Sequence, residues 1–342
     1  MKLAFARRYK RPVRDPVGER QDVTVCIAAL FRWKYHVPDG APEDIGTCVV
    51  TLSDRMITAG DVQYEPNQQK MAFLTPTVAL VIAGDYTVHS QAIRSVMKAC
   101  HANPNVTVHQ AATMYGQAIQ VVQRKAAEDL ILAPLGLNTD MFLGQQKDFS
   151  EGFIASQTEK LQAFEGANVE ALVVGVEGNT AHIYEIDRRG SIYCYDDVGF
   201  AAIGIGAYHA RSSLMQVRFM NNWNYVPAIA ATFAAKKAAE TAPGVGTFTD
   251  INLVYRTGIE RLRQQVADQA EIIYKDFAEK RLMLSFDAAT KLADFIRDLP
   301  PDSTPDAKES SQGQHAIAYA GDNQAEGPSA PEGAEDETKA AE

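Results

Sequence analysis

The sequence predicts an α+β protein in which two antiparallel sheets pack face to face and helices cover both outer sides. Apolar runs rich in β-branched residues, such as TCVVTL, come in groups joined by short polar turns such as EGN and RRG. Between these groups, apolar residues recur three and four positions apart over helix-length stretches. Because strands and helices come in separate blocks, the order favours antiparallel hairpins over the βαβ alternation of a Rossmann fold.

The predicted elements follow from these two periods. Short apolar runs are predicted as strands, and longer amphipathic stretches are predicted as helices. The predicted strands are residues 24–31, 47–52, 70–74, 78–83, 169–176, 181–186, 192–195 and 251–255. The predicted helices are residues 88–101, 108–131, 207–220 and 226–241, with at least two more between residues 259 and 297.

The two ends of the chain differ in composition from the middle. Residues 299–342 are rich in proline, glycine, serine and acidic groups, so they are predicted to be a disordered acidic tail. Residues 1–23 carry seven basic and three acidic groups and lack the apolar core of a secretory signal. The remaining residues, 24–298, contain no linker of similar composition and are predicted to fold as one domain.

The composition excludes several classes of function. The net charge is -10 without a concentrated basic stripe, which argues against nucleic acid as a partner. No apolar run approaches the roughly 18 residues of a membrane-spanning helix, so we expect no membrane partner and a cytoplasmic location. The four cysteines lack CxxC spacing and are predicted to be buried thiols in a reducing compartment. The seven histidines lack metal-ligand spacing, so no metal site is predicted.

Four residues stand at strand ends within the first 85 positions. Thr24 begins a predicted strand, Asp54 follows the next one in TLSDRMITAGD, Lys70 opens a third in NQQKMAFL, and Gly84 ends a fourth in LVIAGD. In adjacent antiparallel strands, these four positions can meet at one end of one sheet. Taken singly, three of them have a simpler explanation: Thr24 as a strand-forming threonine, Asp54 as part of a surface Asp-Arg pair in a turn, and Lys70 as a solvated lysine at a sheet edge.

In this order, the segments resemble proteasome β-type subunits of the N-terminal-nucleophile hydrolase superfamily. Asp54 precedes Lys70 by sixteen residues and Lys70 precedes Gly84 by fourteen, as in that family. TVCIAAL, SDRMITAGD and IAGD look like the bacterial proteasome-like branch, whose chains begin Met-Thr-Val-Cys. The resemblance extends over roughly residues 24–256. It implies a four-layer αββα sandwich.

The resemblance also implies roles for five residues. Thr24 would be the nucleophile once it is the N-terminal residue, with its own α-amine as the base. Lys70 would supply positive charge and Asp54 would hold the ammonium group, while the Gly84 N-H would face the oxyanion. Asp250, in TFTDINLVY, matches the family's late acidic residue. The implied reaction is peptide or amide hydrolysis through an acyl ester, without a cofactor, in an assembly of identical copies.

Three departures from the family leave other readings open. Ile205 stands where the family has serine in its glycine turn, and the first hairpin is longer than is usual. Val23 replaces the glycine that precedes the nucleophile in self-processing members, so residues 1–23 are either a propeptide or a mis-assigned start, with translation beginning at Val23. The alternatives to a threonine peptidase are a hydrolase of small amides and a non-catalytic, proteasome-like structural protein.

Overall fold

The structure is a computed structural model that describes residues 24–36, 43–59, 62–65, 70–103, 105–276, 278 and 280. They belong to the first of two units into which the chain divides, Met1–Arg281 and Leu282–Glu342. The predicted propeptide or mis-assigned start at 1–23 and the predicted tail at 299–342 lie outside the described residues. Residues 281–298 of the predicted domain also lie outside them.

Twelve strands are found in the described part of the chain. They are β1 (Cys26–Tyr35), β2 (Asp44–Ser53), β3 (Ile57–Ala59), β4 (Val62–Tyr64), β5 (Met71–Thr75), β6 (Val78–Gly84), β7 (Val169–Glu177), β8 (Thr180–Ile186), β9 (Ile192–Cys194), β10 (Phe200–Ile203), β11 (Asp250–Tyr255) and β12 (Gly258–Arg261).

The helices lie between these groups of strands. They are α1 (Tyr86–Ala102), α2 (Val108–Ala127), α3 (Thr139–Gly144), α4 (Glu151–Gln162), α5 (Ala207–Gln216) and α6 (Tyr225–Ala239). Residues 264–276 are also helical. Thr107 and Gln110 form a capping box that fixes the start of α2, because each side chain satisfies a backbone N-H group that the helix leaves free.

The strands form two five-stranded antiparallel sheets and one short hairpin. The first sheet has the order β10-β1-β2-β11-β12, and the second has the order β5-β6-β7-β8-β9. The hairpin pairs β3 with β4. Every strand pair in both sheets is antiparallel. The predicted α+β class with two antiparallel sheets is therefore confirmed.

Side-chain alternation along the strands divides the core into three apolar clusters. One cluster joins the sheets and includes Cys26, Val49 and Leu172. A second cluster lies between the first sheet and helices α5 and α6, and a third lies between the second sheet and helices α1 and α2. Odd-numbered residues of β1 face the helices, and the even-numbered Cys26, Ala28 and Leu30 face the other sheet, as the two-residue period of a strand requires.

Some predicted elements differ from those observed. Residues 258–261 form β12, whereas the sequence predicts that helices begin near residue 259; the next helical residues start at 264. The short strand β10 was not predicted because FAAI is brief and half alanine. The sequence predicts no element over α3 and α4, because α3 has only six residues and the polar Gln157 interrupts the apolar face of α4.

Candidate active site

The first hairpin brings Thr24 and Asp54 together although thirty residues separate them in sequence. Strands β1 and β2 pair over ten positions, from Cys26 with Ser53 to Tyr35 with Asp44. The same register continues past the strand ends, because the Asp54 N-H donates to the Val25 carbonyl at 3.2 Å. The hairpin therefore does not separate the two residues, because β1 and β2 are joined at their other ends.

The Asp54 carboxylate is fully buried and accepts five hydrogen bonds from residues that the structure describes. Its Oδ1 accepts from Thr24 Oγ1 at 2.5 Å, from Val25 N at 3.1 Å and from Lys70 Nζ at 2.7 Å. Its Oδ2 accepts from Met56 N at 3.3 Å and from Gly246 N at 2.9 Å. A buried charge needs such partners, and this shell fixes the orientation of the carboxylate beside the threonine hydroxyl.

Lys70 reaches this cluster from the other sheet. It precedes β5, and its carbonyl accepts from the Ile82 N-H at 3.0 Å. Its ammonium group donates to Thr24 Oγ1 as well as to Asp54, and only 11% of its side chain is exposed. Lys70 is therefore not a solvated edge residue. The expectation that the four positions meet in one sheet was wrong, because Thr24 and Asp54 belong to the first sheet and Lys70 and Gly84 to the second.

Gly84 ends β6 in a conformation that favours glycine. Its φ is +106°, and a Cβ atom at this position would lie 2.2 Å from the Asn168 carbonyl oxygen. The Cys26 thiol donates to the Ile82 carbonyl at 3.3 Å, which ties β1 to β6 across the two sheets. Since Thr24 stands two residues before Cys26 and Gly84 two residues after Ile82, both are at this end of the sandwich.

The glycine turn at 204–206 packs directly against Thr24. Gly204 has φ +85°, and a Cβ there would lie 2.5 Å from the Thr24 carbonyl oxygen. That same oxygen accepts from the Gly206 N-H at 3.2 Å. The Ile205 side chain packs against the cluster beneath α5 and α6. The Gly204 N-H donates to Glu170 Oε2 at 2.7 Å, and this link between the sheets is not predicted from the sequence.

Asp250 holds a neighbouring arginine. Arg55 donates through Nε to Oδ2 at 2.9 Å and through Nη2 to Oδ1 at 2.5 Å, and both side chains are buried. The paired Asp250 raises the pKa of the Arg55 guanidinium further above its usual range. The Asp54-Arg55 sequence is therefore not a surface ion pair, because each residue binds a different buried partner.

Lys236 supports the site from α6 and is not among the residues predicted from the sequence. It is 0% exposed, forms an ion pair with Glu240, and donates to the carbonyls of Gly246 and Thr247 at 2.9 Å each. Burial lowers its pKa. Because the Gly246 N-H in turn donates to Asp54, Lys236 anchors the loop that holds the Asp54 carboxylate. The sequence signal for a buried Lys236 is its position in the apolar, alanine-rich segment YVPAIAATFAAKKAA.

The four cysteines differ in their exposure. Cys26 lies two residues after Thr24, and burial raises its pKa to about 12, so it is protonated at neutral pH. Cys48 and Cys100 are also buried, as predicted. Cys194 is exposed, so the prediction of a buried thiol was wrong at that position.

The described residues contain no helix with the length and apolar character needed to span a membrane. Among the same residues, no three His, Cys, Asp or Glu side chains are grouped so as to hold a metal ion.

Comparison with known proteins adds no family assignment: no protein-family model matches the chain, and no curated protein matches it.

Proposed function

We propose that this chain is a threonine-type peptidase or amide hydrolase in which Thr24 acts as an N-terminal nucleophile. The observation that carries the proposal is that one hydroxyl oxygen, Thr24 Oγ1, is bound by both the Asp54 carboxylate and the Lys70 ammonium group. A structural threonine at a strand start needs no such partners. A buried lysine beside a nucleophilic oxygen stabilises the negative charge that forms when the oxygen loses its proton.

The reaction proposed for this site has two stages. The free α-amine of Thr24 takes the hydroxyl proton while Oγ1 attacks the substrate carbonyl carbon, which forms a tetrahedral oxyanion. The C-N bond then breaks, the leaving amine receives the proton, and an ester joins the acyl group to Thr24. A water molecule, deprotonated by the same amine, then attacks that ester. The bond between the acyl carbon and Oγ1 breaks, Oγ1 takes the proton back from the amine, and the carboxylic acid is released.

The other residues have distinct tasks in this scheme. Lys70 stabilises the developing alkoxide, and Asp54 keeps the lysine and the hydroxyl in place. The Gly84 N-H is the proposed oxyanion donor, since it lies at the same end of the sandwich and has no side chain to exclude a substrate. Asp250 has a positioning role through Arg55.

The chemistry requires removal of whatever precedes Thr24. In the full chain Thr24 is buried and its nitrogen belongs to a peptide bond, which is not basic. The proposal therefore includes a mature form that begins at Thr24, produced either by cleavage of a propeptide or by removal of an initiator residue at position 23.

The proposal also includes the four-layer sandwich of the N-terminal-nucleophile type and the self-association of the chain. Apolar clusters between the sheets and beneath both helix pairs support a four-layer αββα sandwich of the N-terminal-nucleophile type. Large apolar side chains are exposed on α5 and α6, including Tyr208 and Met215, which supports contacts between identical copies. Sedimentation velocity tests this point: we expect an oligomer, and a monomer at micromolar concentration would contradict it.

One observation favours a non-catalytic relative instead. Ile205 faces the apolar core, and its side chain has no group that could hydrogen-bond to the α-amine. The glycine turn nevertheless contacts Thr24 through its backbone, so the main-chain part of the arrangement is retained.

The deciding experiment is covalent labelling of the mature protein by an electrophile that reacts with N-terminal threonine, such as a peptidyl β-lactone. We expect a stoichiometric adduct in the wild type and in Thr24→Ser, and none in Thr24→Ala. Lys70→Ala should label at least a hundredfold more slowly. Absence of labelling in a wild type whose N-terminal residue is verified as Thr24 would support the non-catalytic alternative.

A further inference from the structure

Helix α1 carries a histidine that is buried against the end of β6. His89 is 0% exposed, and its Nε2 lies 2.8 Å from the Ala83 carbonyl oxygen. Its Nδ1 is hydrogen-bonded to the hydroxyl of Tyr115, which is itself fully buried on α2. The proposed mechanism assigns no task to either residue.

The contacts specify which ring nitrogen carries the proton. A carbonyl oxygen only accepts hydrogen bonds, so Nε2 must donate to Ala83. Burial lowers the pKa of His89 to about 4, so the ring is neutral at pH 7 and Nδ1 is an acceptor. The Tyr115 hydroxyl must then be the donor. The chain of hydrogen bonds runs from Tyr115 through His89 to Ala83.

The Ala83 carbonyl shares a peptide group with the Gly84 N-H. In a trans peptide the carbonyl and the N-H point in opposite directions. Ile82 donates its N-H to Lys70 across the β5 side of the strand, and Asp85 donates to Asn168 across the β7 side. Since N-H groups alternate along a strand, the Gly84 N-H points to the side of Lys70.

We infer that His89 is a positioning residue for the oxyanion donor, because it fixes the Ala83–Gly84 peptide group from its carbonyl end. A donor on the carbonyl also polarises the amide and strengthens the hydrogen bond that its N-H can donate. The Tyr115 hydroxyl, by donating to Nδ1, keeps His89 in the tautomer whose Nε2 carries the proton and donates to Ala83. The inference rests on the proposed function, since it concerns the same reaction.

Two electrophiles separate positioning of the oxyanion donor from a general structural role. A peptidyl β-lactone acylates threonine through a tetrahedral oxyanion: Oγ1 bonds to the carbonyl carbon, the ring C-O bond breaks, and the ring oxygen takes the proton. A peptidyl vinyl sulfone with the same peptide reacts by conjugate addition, in which Oγ1 bonds to the alkene carbon and the adjacent carbon takes the proton. That second reaction forms no carbonyl oxyanion.

We expect His89→Leu and Tyr115→Phe to slow β-lactone acylation about tenfold and to leave the vinyl sulfone rate within twofold of wild type. The loss is smaller than the 10²–10³ that removal of an oxyanion donor costs, because the Gly84 N-H itself remains. His89→Gln keeps a side-chain N-H that can reach the carbonyl and should restore part of the β-lactone rate. Val96→Ala is the stability control, because it opens a cavity in the apolar cluster that also contains Tyr115. It should slow neither reaction.

Each outcome has a defined meaning. If both electrophiles slow in parallel in His89→Leu and Tyr115→Phe, or if neither slows, His89 is structural and the inference is wrong. If Tyr115→Phe has the thermal stability of wild type and still loses only the β-lactone rate, the inference is supported without any question of folding. If wild type beginning at Thr24 reacts with neither reagent, the proposed function itself is wrong, and the positioning role is excluded with it.

Discussion

Replacing Lys70 by methionine removes one charge from the centre of the proposed site while keeping most of the side-chain volume. The ammonium group lies 2.7 Å from Asp54 Oδ1 and also contacts Thr24 Oγ1. At that distance and an effective dielectric constant of about 20, the pair attraction is about 6 kcal/mol before the cost of desolvation. Removing one member of a buried pair costs about 3–5 kcal/mol, because the remaining charge loses its partner.

The effect on folding should fall at the lower end of that range. Asp54 keeps three backbone donors, the N-H groups of Val25, Met56 and Gly246. We therefore expect Lys70→Met to lower the free energy of unfolding by about 3 kcal/mol. The rate of acylation should also fall. Among the described contacts of Thr24 Oγ1, Lys70 is the only cationic side chain, so its removal leaves the alkoxide without a stabilising charge. A loss of about 10³ in rate corresponds to about 4 kcal/mol.

The assay measures both quantities on the same preparations. Urea unfolding gives the stability, and the second-order rate of β-lactone labelling at pH 7.5 gives the transition-state effect. Lys125→Met removes an exposed lysine that pairs with Glu128 and Asp129, so it should change stability by less than about 1 kcal/mol and leave labelling unchanged. If Lys70→Met labels within tenfold of wild type, the role given to Lys70 is wrong.

Further predictions concern the support of the site. Gly84→Ala should abolish labelling and lower the free energy of unfolding by at least about 2 kcal/mol, because φ is +106° and the new Cβ would meet a carbonyl oxygen at 2.2 Å; wild-type stability by urea unfolding would contradict this. Lys236→Met should cost about 2 kcal/mol in the same measurement, since it leaves the Gly246 and Thr247 carbonyls without their donor while Glu240 keeps its ion pair with Lys237; a neutral or stabilised variant would show that this lysine does not anchor the loop. His89 has a folded pKa of about 4 against 6.5 unfolded, so the unfolded state binds more protons as pH falls and stability should decrease by roughly 3 kcal/mol between pH 6.5 and pH 4. His89→Gln should flatten that part of the pH profile, and a slope unchanged from wild type would assign it to other groups. Iodoacetamide at pH 8 should alkylate Cys194 and spare Cys26, because burial raises the pKa of the Cys26 thiol to about 12. Peptide mapping measures this, and rapid alkylation of Cys26 in the folded protein would refute its burial.

The strands were largely predictable because their side chains carry a local signal. Runs such as VALVIAG and VEALVVGVE are apolar, β-branched and bounded by glycine or polar turns. Strand β10 lacks that signal, since alanine is neutral between helix and strand and the run has four residues. The sequence predicts helix from residue 259 onward, where β12 is found, because GIER has no alternation of its own; pairing with β11 determines its conformation.

The site was predictable only in part. The order and spacing of Thr24, Asp54, Lys70 and Gly84 suggested a cluster, but their distribution over two sheets depends on how the sheets pack, which no local pattern encodes. Arg55 and Asp250 lie 195 positions apart in the sequence, and the residues that flank each of them form no motif that predicts the pair. Such long-range pairs follow from the folded structure and cannot be derived from composition or periodicity.

The central claim is that Thr24 is the first residue and the nucleophile of the mature protein. Intact-mass and N-terminal peptide measurements on natively expressed protein, before and after β-lactone treatment, test it most directly. The proposal predicts a mature chain that begins at Thr24 and gains one acyl group on that residue. A mature chain that retains residues before Thr24, or an adduct on any other residue, would contradict it.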